Sequence, residues 1–67
     1  MDNPIYINGH EVDYFDYNES TSELEAIDLS GRILVTFSMS KKQWKKIQKK
    51  RNAWKYLGIL FGDKEED

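Results

Sequence analysis

The side chains of this 67-residue chain best equipped for chemistry are its bases, and they are concentrated in one stretch. Lys41, Lys42, Lys45, Lys46, Lys49, Lys50, Arg51 and Lys55 make up eight of its ten basic residues, and no acid interrupts them. Ammonium groups spaced in this way neutralise a polyanion and release its condensed counterions, so anion binding is the chemistry they can perform. Lys41, Lys42, Lys45, Lys46, Lys49 and Lys55 are the candidate partner-binding residues. Three readings of them stay open at this level: contact with nucleic acid or another polyanion, contact with a protein partner, and a solvated face attracted to acids elsewhere in the chain.

Other chemistry has less to stand on. Nucleophilic catalysis needs a base beside Ser or Cys, and the single histidine, His10, follows directly on a tight turn in a chain without cysteine. Asp13, Asp16, Glu19, Glu23 and Glu25 alternate with apolar residues as a solvated strand face does. So short a chain also offers little concave pocket for a pair of catalytic carboxylates. Asp16, Asn18 and Ser20 have the alternation of a calcium loop, but the sixth position is Thr21 where the turn requires Gly, and the twelfth is Ile27 where a bidentate Glu is required. The lack of cysteine excludes disulfides and thiolate zinc sites. The expectation is a protein that is not an enzyme, with no catalytic residue, cofactor, metal site or small-molecule substrate.

The elements that must position the bases can be read in order. Ile5 to Ile7, Asn8-Gly9 and His10 to Tyr17 read as a β-hairpin, because both central residues of a type I′ loop need positive φ and Asn-Gly tolerates it. The second strand is apolar on both phases, which calls for a bulge or for two partly covered faces. Asn18 to Ser22 is a polar turn, Glu23 to Leu29 a third strand, Ser30-Gly31 a turn, and Arg32 to Met39 a fourth strand with Ile33, Val35, Phe37 and Met39 on one phase. Ser40 to Gln43 is a capping box, and Met39 and Trp44 have the spacing of a hydrophobic staple.

From there Trp44, Ile47, Trp54 and Leu57 recur at helical spacing, a stripe that can lie on the sheet. Lys50 and Arg51 fall on or near that stripe, their stems covering apolar surface. One helix ending near Leu57, with Gly58 as its C′ residue, is expected; the fallback is a stop near Arg51-Asn52 and a short extension over Trp54 to Phe61. The fold class is therefore α+β: a three- to four-stranded antiparallel meander with one C-terminal helix on one face. Residues 1–62 form a single domain and 63–67 an acidic tail expected to fray.

Charge is segregated along the chain: −7 over residues 1–40, +8 over 41–55 and −3 over 56–67, which together give the net −2. The N-terminus lacks a basic leader and no apolar run reaches about 18 residues, so a cytoplasmic protein with no membrane contact is expected. At this size, without staples, a homodimer is one expected assembly; the sheet face left uncovered, with Tyr6, Tyr14, Phe15 and Tyr17, is its candidate surface.

Between Val12 and Ile59 the order of features resembles the KTSC domain, a small β-meander followed by a helix. Tyr17 before a polar turn, Leu24-Glu25 in the next strand, Gly31 at a hairpin, Phe37 late in the last strand, Ser40 opening a helix and Trp44 within it carry the resemblance. The Lys-Thr-Ser-Cys signature is absent. The resemblance implies the sheet-plus-helix architecture and no activity. The expected function is a small binding or regulatory module that engages an anionic partner, nucleic acid or an acidic protein surface, through the lysine-rich helix. The alternative is a small phage- or bacterial-type inhibitor or adaptor that contacts a host protein through the acidic or aromatic sheet face.

Overall fold

The computed structural model describes residues 3–64. Strands β1 (Tyr6–Ile7), β2 (His10–Asn18), β3 (Glu23–Asp28) and β4 (Ile33–Ser38) are followed by helices α1 (Lys41–Gln48) and α2 (Ala53–Phe61). The strands form an antiparallel meander in the order β1-β2-β3-β4. Asn8 and Gly9 adopt φ of 52° and 81° in the first hairpin, as a type I′ loop demands. The fold is thus the expected α+β meander with four strands, carrying two short helices where one was anticipated.

Register decides which side chains meet the helices. Tyr17, Leu24 and Phe37 line up across β2, β3 and β4, as do Phe15, Ala26 and Val35. These rows form the covered face, where Leu24 and Ala26 have no exposed surface. The alternate rows, Asp16 with Glu25 and Thr36, and Tyr14 with Ile27 and Ile33, point the other way. A bulge between Val12 and Tyr14 absorbs Asp13 and reverses the alternation, so Val12 joins Phe15 and Tyr17 on the covered face. That resolves the two apolar phases of β2. A second irregularity, opposite Ala26 and Ile27, leaves Leu34 outside the pairing and turns Ile33 outward, so Ile33 does not share the phase of Val35 and Phe37.

The helix start follows the sequence closely. The Ser40 amide donates to Gln43 Oε1 at 3.1 Å and the Gln43 amide donates to Ser40 Oγ at 3.2 Å, completing the capping box. Met39 is buried, its carbonyl accepts from the Tyr17 hydroxyl at 2.8 Å, and the Trp44 ring stacks on Tyr17 with centroids 6.4 Å apart. α1 is therefore fixed to β2 within its first turn.

The single helix is corrected to two. Arg51 lies four residues after Ile47 and seven after Trp44, so an unbroken helix would carry a guanidinium into the sheet. Burying an unpaired charge is very costly. Instead the backbone turns over Lys49 to Asn52, and α2 restarts in a phase that places Trp54, Leu57 and Phe61 on the sheet. Trp54 meets Phe15 edge-on at 5.9 Å and Phe61 stacks on Phe37 at 4.0 Å between centroids. Lys50 and Arg51 are exposed, and Gly58 sits inside α2 instead of following a helix end. A Cβ at Gly58 would come within 3.2 Å of Ile5 Cγ1, so this helix packs closely on the chain before β1.

The C-terminal end of α2 is tied to the first hairpin. The Asp63 amide donates to the Tyr6 carbonyl at 2.7 Å, while its carboxylate accepts from the Asn8 and Gly9 amides at 2.8 and 2.9 Å. Asp63, read from sequence as the first tail residue, instead clasps the turn. Residues 65–67 lie outside the described residues.

Candidate functional site

The capping box and the Trp44–Tyr17 stack set the rotation of α1, and that rotation decides what the lysines face. Trp44 and Ile47 point into the core. At about 100° per residue, Lys42, Lys45, Lys46 and Lys49 then cluster round the opposite pole; all four are exposed. Lys41 stands to the side and pairs with Glu19 at 2.6 Å. That contact holds the Glu19 carboxyl below its ordinary range, first through the hydrogen bond and then through the charge of Lys41, and it raises Lys41 in turn. Both groups are solvated, so the pair orients the edge of the site and contributes little to stability.

Lys55, the sixth candidate, is separated from the other five by the break and sits on α2. The structure thus brings Lys42, Lys45, Lys46 and Lys49 together, diverts Lys41 to Glu19, and puts Lys55 on the second helix. It also adds two residues that the sequence-based site omitted. Lys50 and Arg51 occupy the exposed linker, and Lys50 Nζ lies 4.5 Å from the centroid of the Tyr56 ring. The signal for them was Arg51 at the i+4 position from Ile47, a placement that an unbroken helix could not accommodate.

The acids are placed apart. Asp16, Glu23 and Glu25 belong to the sheet face that points away from the helices. Among the described residues, Lys41–Glu19 is the ion pair that links basic helix and acidic sheet. Attraction between the two therefore does little to hold the helices down; aromatic packing does that. On the open sheet face Tyr14 is 49% and Ile33 54% exposed. Of the aromatics assigned to that face from sequence, Tyr6 and Tyr14 are on the open side, whereas Phe15 and Tyr17 are half-buried beneath the helices.

The remaining polar residues are occupied locally. His10 is exposed at the start of β2, opposite Ile7. The calcium-like segment is a β-hairpin: Asp16 and Asn18 end β2, Ile27 is buried in β3, and Asn18 Oδ1 accepts from the Ser20 amide at 3.0 Å. No group of three metal-binding side chains occurs among the described residues. A shallow cleft of about 770 Å3 lies between α2 and the chain before β1, floored by Ile5 and Gly58 and edged by Lys55, Ile59 and Asp63. Its carboxylate is the one already bound to the Asn8-Gly9 turn.

Comparison with protein-family models, with curated proteins and with solved structures finds no match to this chain.

Proposed function

We propose that the protein is a non-enzymatic binding or regulatory module that engages an anionic partner through the outward face of α1. The observation that carries this reading is the cluster of Lys42, Lys45, Lys46 and Lys49 at the solvent pole of one short helix, with Asp16, Glu23 and Glu25 on the opposite side of the sheet. Charges so placed are free to exchange counterions for a partner's phosphates or carboxylates. Duplex DNA and poly-glutamate, standing for nucleic acid and acidic protein, test it by affinity against salt concentration. Binding should weaken steeply as salt rises, and K45Q/K46Q/K49Q should reduce the slope by about one unit per lysine with DNA. Affinity indifferent to salt would sink the proposal.

A second reading rests on the open sheet face, where exposed Tyr14 and Ile33 border the Asp16–Glu25 row. Such a face suits an inhibitor or adaptor that contacts a host protein. Glu25→Lys should then abolish capture of one host protein while the lysine variants leave capture intact.

A further inference from the structure

The restart of α2 after the linker sets which of its apolar side chains face water. With Trp54, Leu57 and Phe61 turned to the sheet, the pole of α2 away from it holds Lys55 and Ile59 at about 100° per residue, with Leu60 at its flank and Tyr56 half-buried against the core on the other side. Ile59 is 59% and Leu60 46% exposed. α1 and α2 cover the same face of the sheet, since Trp44 meets Tyr17 and Trp54 meets Phe15, neighbours on that face. The solvent poles of both helices consequently look into one half-space. Lys50, seated over the half-buried Tyr56 ring, holds the linker's charge against α2. From Lys41 to Gly62 the chain contains no acid.

A nucleic acid would use these cations and leave Ile59 and Leu60 in water. An anionic bilayer uses both kinds of group: its headgroups attract clustered Lys and Arg, and its acyl boundary takes up aliphatic side chains on the same face. We infer that the outer face of the α1–α2 hairpin docks on an anionic bilayer surface, with the lysines on the headgroups and Ile59 and Leu60 inserted at the boundary. Contact is peripheral, since no helix among the described residues is long and apolar enough to cross a membrane. This rests on the reading that the lysine face meets an anion and names that anion as lipid. The stripe of Trp44, Ile47, Trp54 and Leu57 is taken by the sheet, as the sequence requires; Ile59 and Leu60 lie outside it and stay exposed.

Cosedimentation of the full chain with phosphatidylcholine vesicles, with and without phosphatidylglycerol, tests the inference, with duplex DNA titrated in parallel. Binding is expected to the anionic vesicles alone. I59Q/L60Q, which keeps good helix formers and whose fold is checked by circular dichroism, should weaken vesicle binding about tenfold, roughly 1.4 kcal/mol, and leave DNA affinity unchanged. K45Q/K46Q/K49Q should weaken binding to both. Equal binding to neutral and anionic vesicles, or vesicle binding untouched by I59Q/L60Q, overturns the inference. DNA binding without vesicle binding overturns it too and leaves the anion-binding proposal standing; binding to neither, nor to poly-glutamate, removes both.

Discussion

Two carboxylates show how single residues hold the turns of this fold. Asp63 ties the end of α2 to the first hairpin through one main-chain bond and two bonds from its carboxylate to the Asn8 and Gly9 amides. Gly62 makes the approach: a Cβ there would stand 2.6 Å from the Gly58 carbonyl. Asp63→Ala should cost about 1 kcal/mol and lower Tm by about 4–8 °C, and amide exchange should accelerate at Asn8 and Gly9. An unchanged exchange rate there would show that the clasp is not formed in solution. Asp28 acts likewise on the β3–β4 turn, where Oδ1 accepts from Ser30 Oγ and from the Ser30 and Arg32 amides. These bonds, that from the Ser30 hydroxyl foremost, hold its carboxyl below the ordinary range. A depressed folded-state pKa means that the contribution is complete above the ordinary carboxylate range and is lost as pH falls through the folded value. Asp28→Asn should therefore lower Tm near neutral pH, with the gap to wild type closing in acid; a gap constant with pH would exclude the charge as the cause.

At the scale of elements, the covered sheet face bears the stability. Leu24 sits between Tyr17 and Phe37 with no exposed surface. Leu24→Ala should cost about 2–5 kcal/mol, comparable with the roughly 3–5 kcal/mol that a domain of this size can assemble, so urea denaturation should find it largely unfolded. Ile33→Ala, on the open face, should change stability by no more than about 0.5 kcal/mol. Equal effects at the two sites would contradict the register. The strands were legible because their punctuation is local: Asn8-Gly9 fixes the first hairpin, and the doubled apolar phase of β2 called for a bulge or two partly covered faces, of which the structure has the bulge, at Asp13. The start of α1 was legible for the same reason, since Ser40 and Gln43 bond each other. The break at Lys49 to Asn52 was legible only as the fallback of a stop near Arg51-Asn52 with an extension over Trp54 to Phe61, because neither Gly nor Pro marks it. Its cause is tertiary, namely that Arg51 would otherwise meet the sheet. Preferring the unbroken helix moved Lys50 and Arg51 off the candidate site and kept Lys55 within it. Asp63 was hidden, because its partners precede it by more than fifty residues.

For the whole molecule, the meander and the helix pair set Asp16, Glu23 and Glu25 on one side and the lysines of α1 on the other. The order in the sequence, acids first and bases after, becomes an order in space because the sheet turns Asp16, Glu23 and Glu25 away from the helices that cover its other face. The lysines of α1 cost the fold little, since their pole buries nothing, and the core is closed by Trp44, Ile47, Leu57 and the aromatic pairs instead. The lysine face can thus be altered without dismantling the domain, and for this reason lysine-to-glutamine variants are sound probes.

Opposite placement of acids and bases also sets the kinetics of any encounter with an anion. The net charge of −2 opposes approach from a distance, while the separated charge exerts a torque that turns the helices to the front. These two long-range effects act in opposite directions, so ionic strength should change the association rate only modestly. Once the lysines touch, the local contacts govern departure, and salt should act chiefly on the dissociation rate. Surface plasmon resonance across a salt series would separate the two: a dissociation rate independent of salt would show that the lysines do not form the contact.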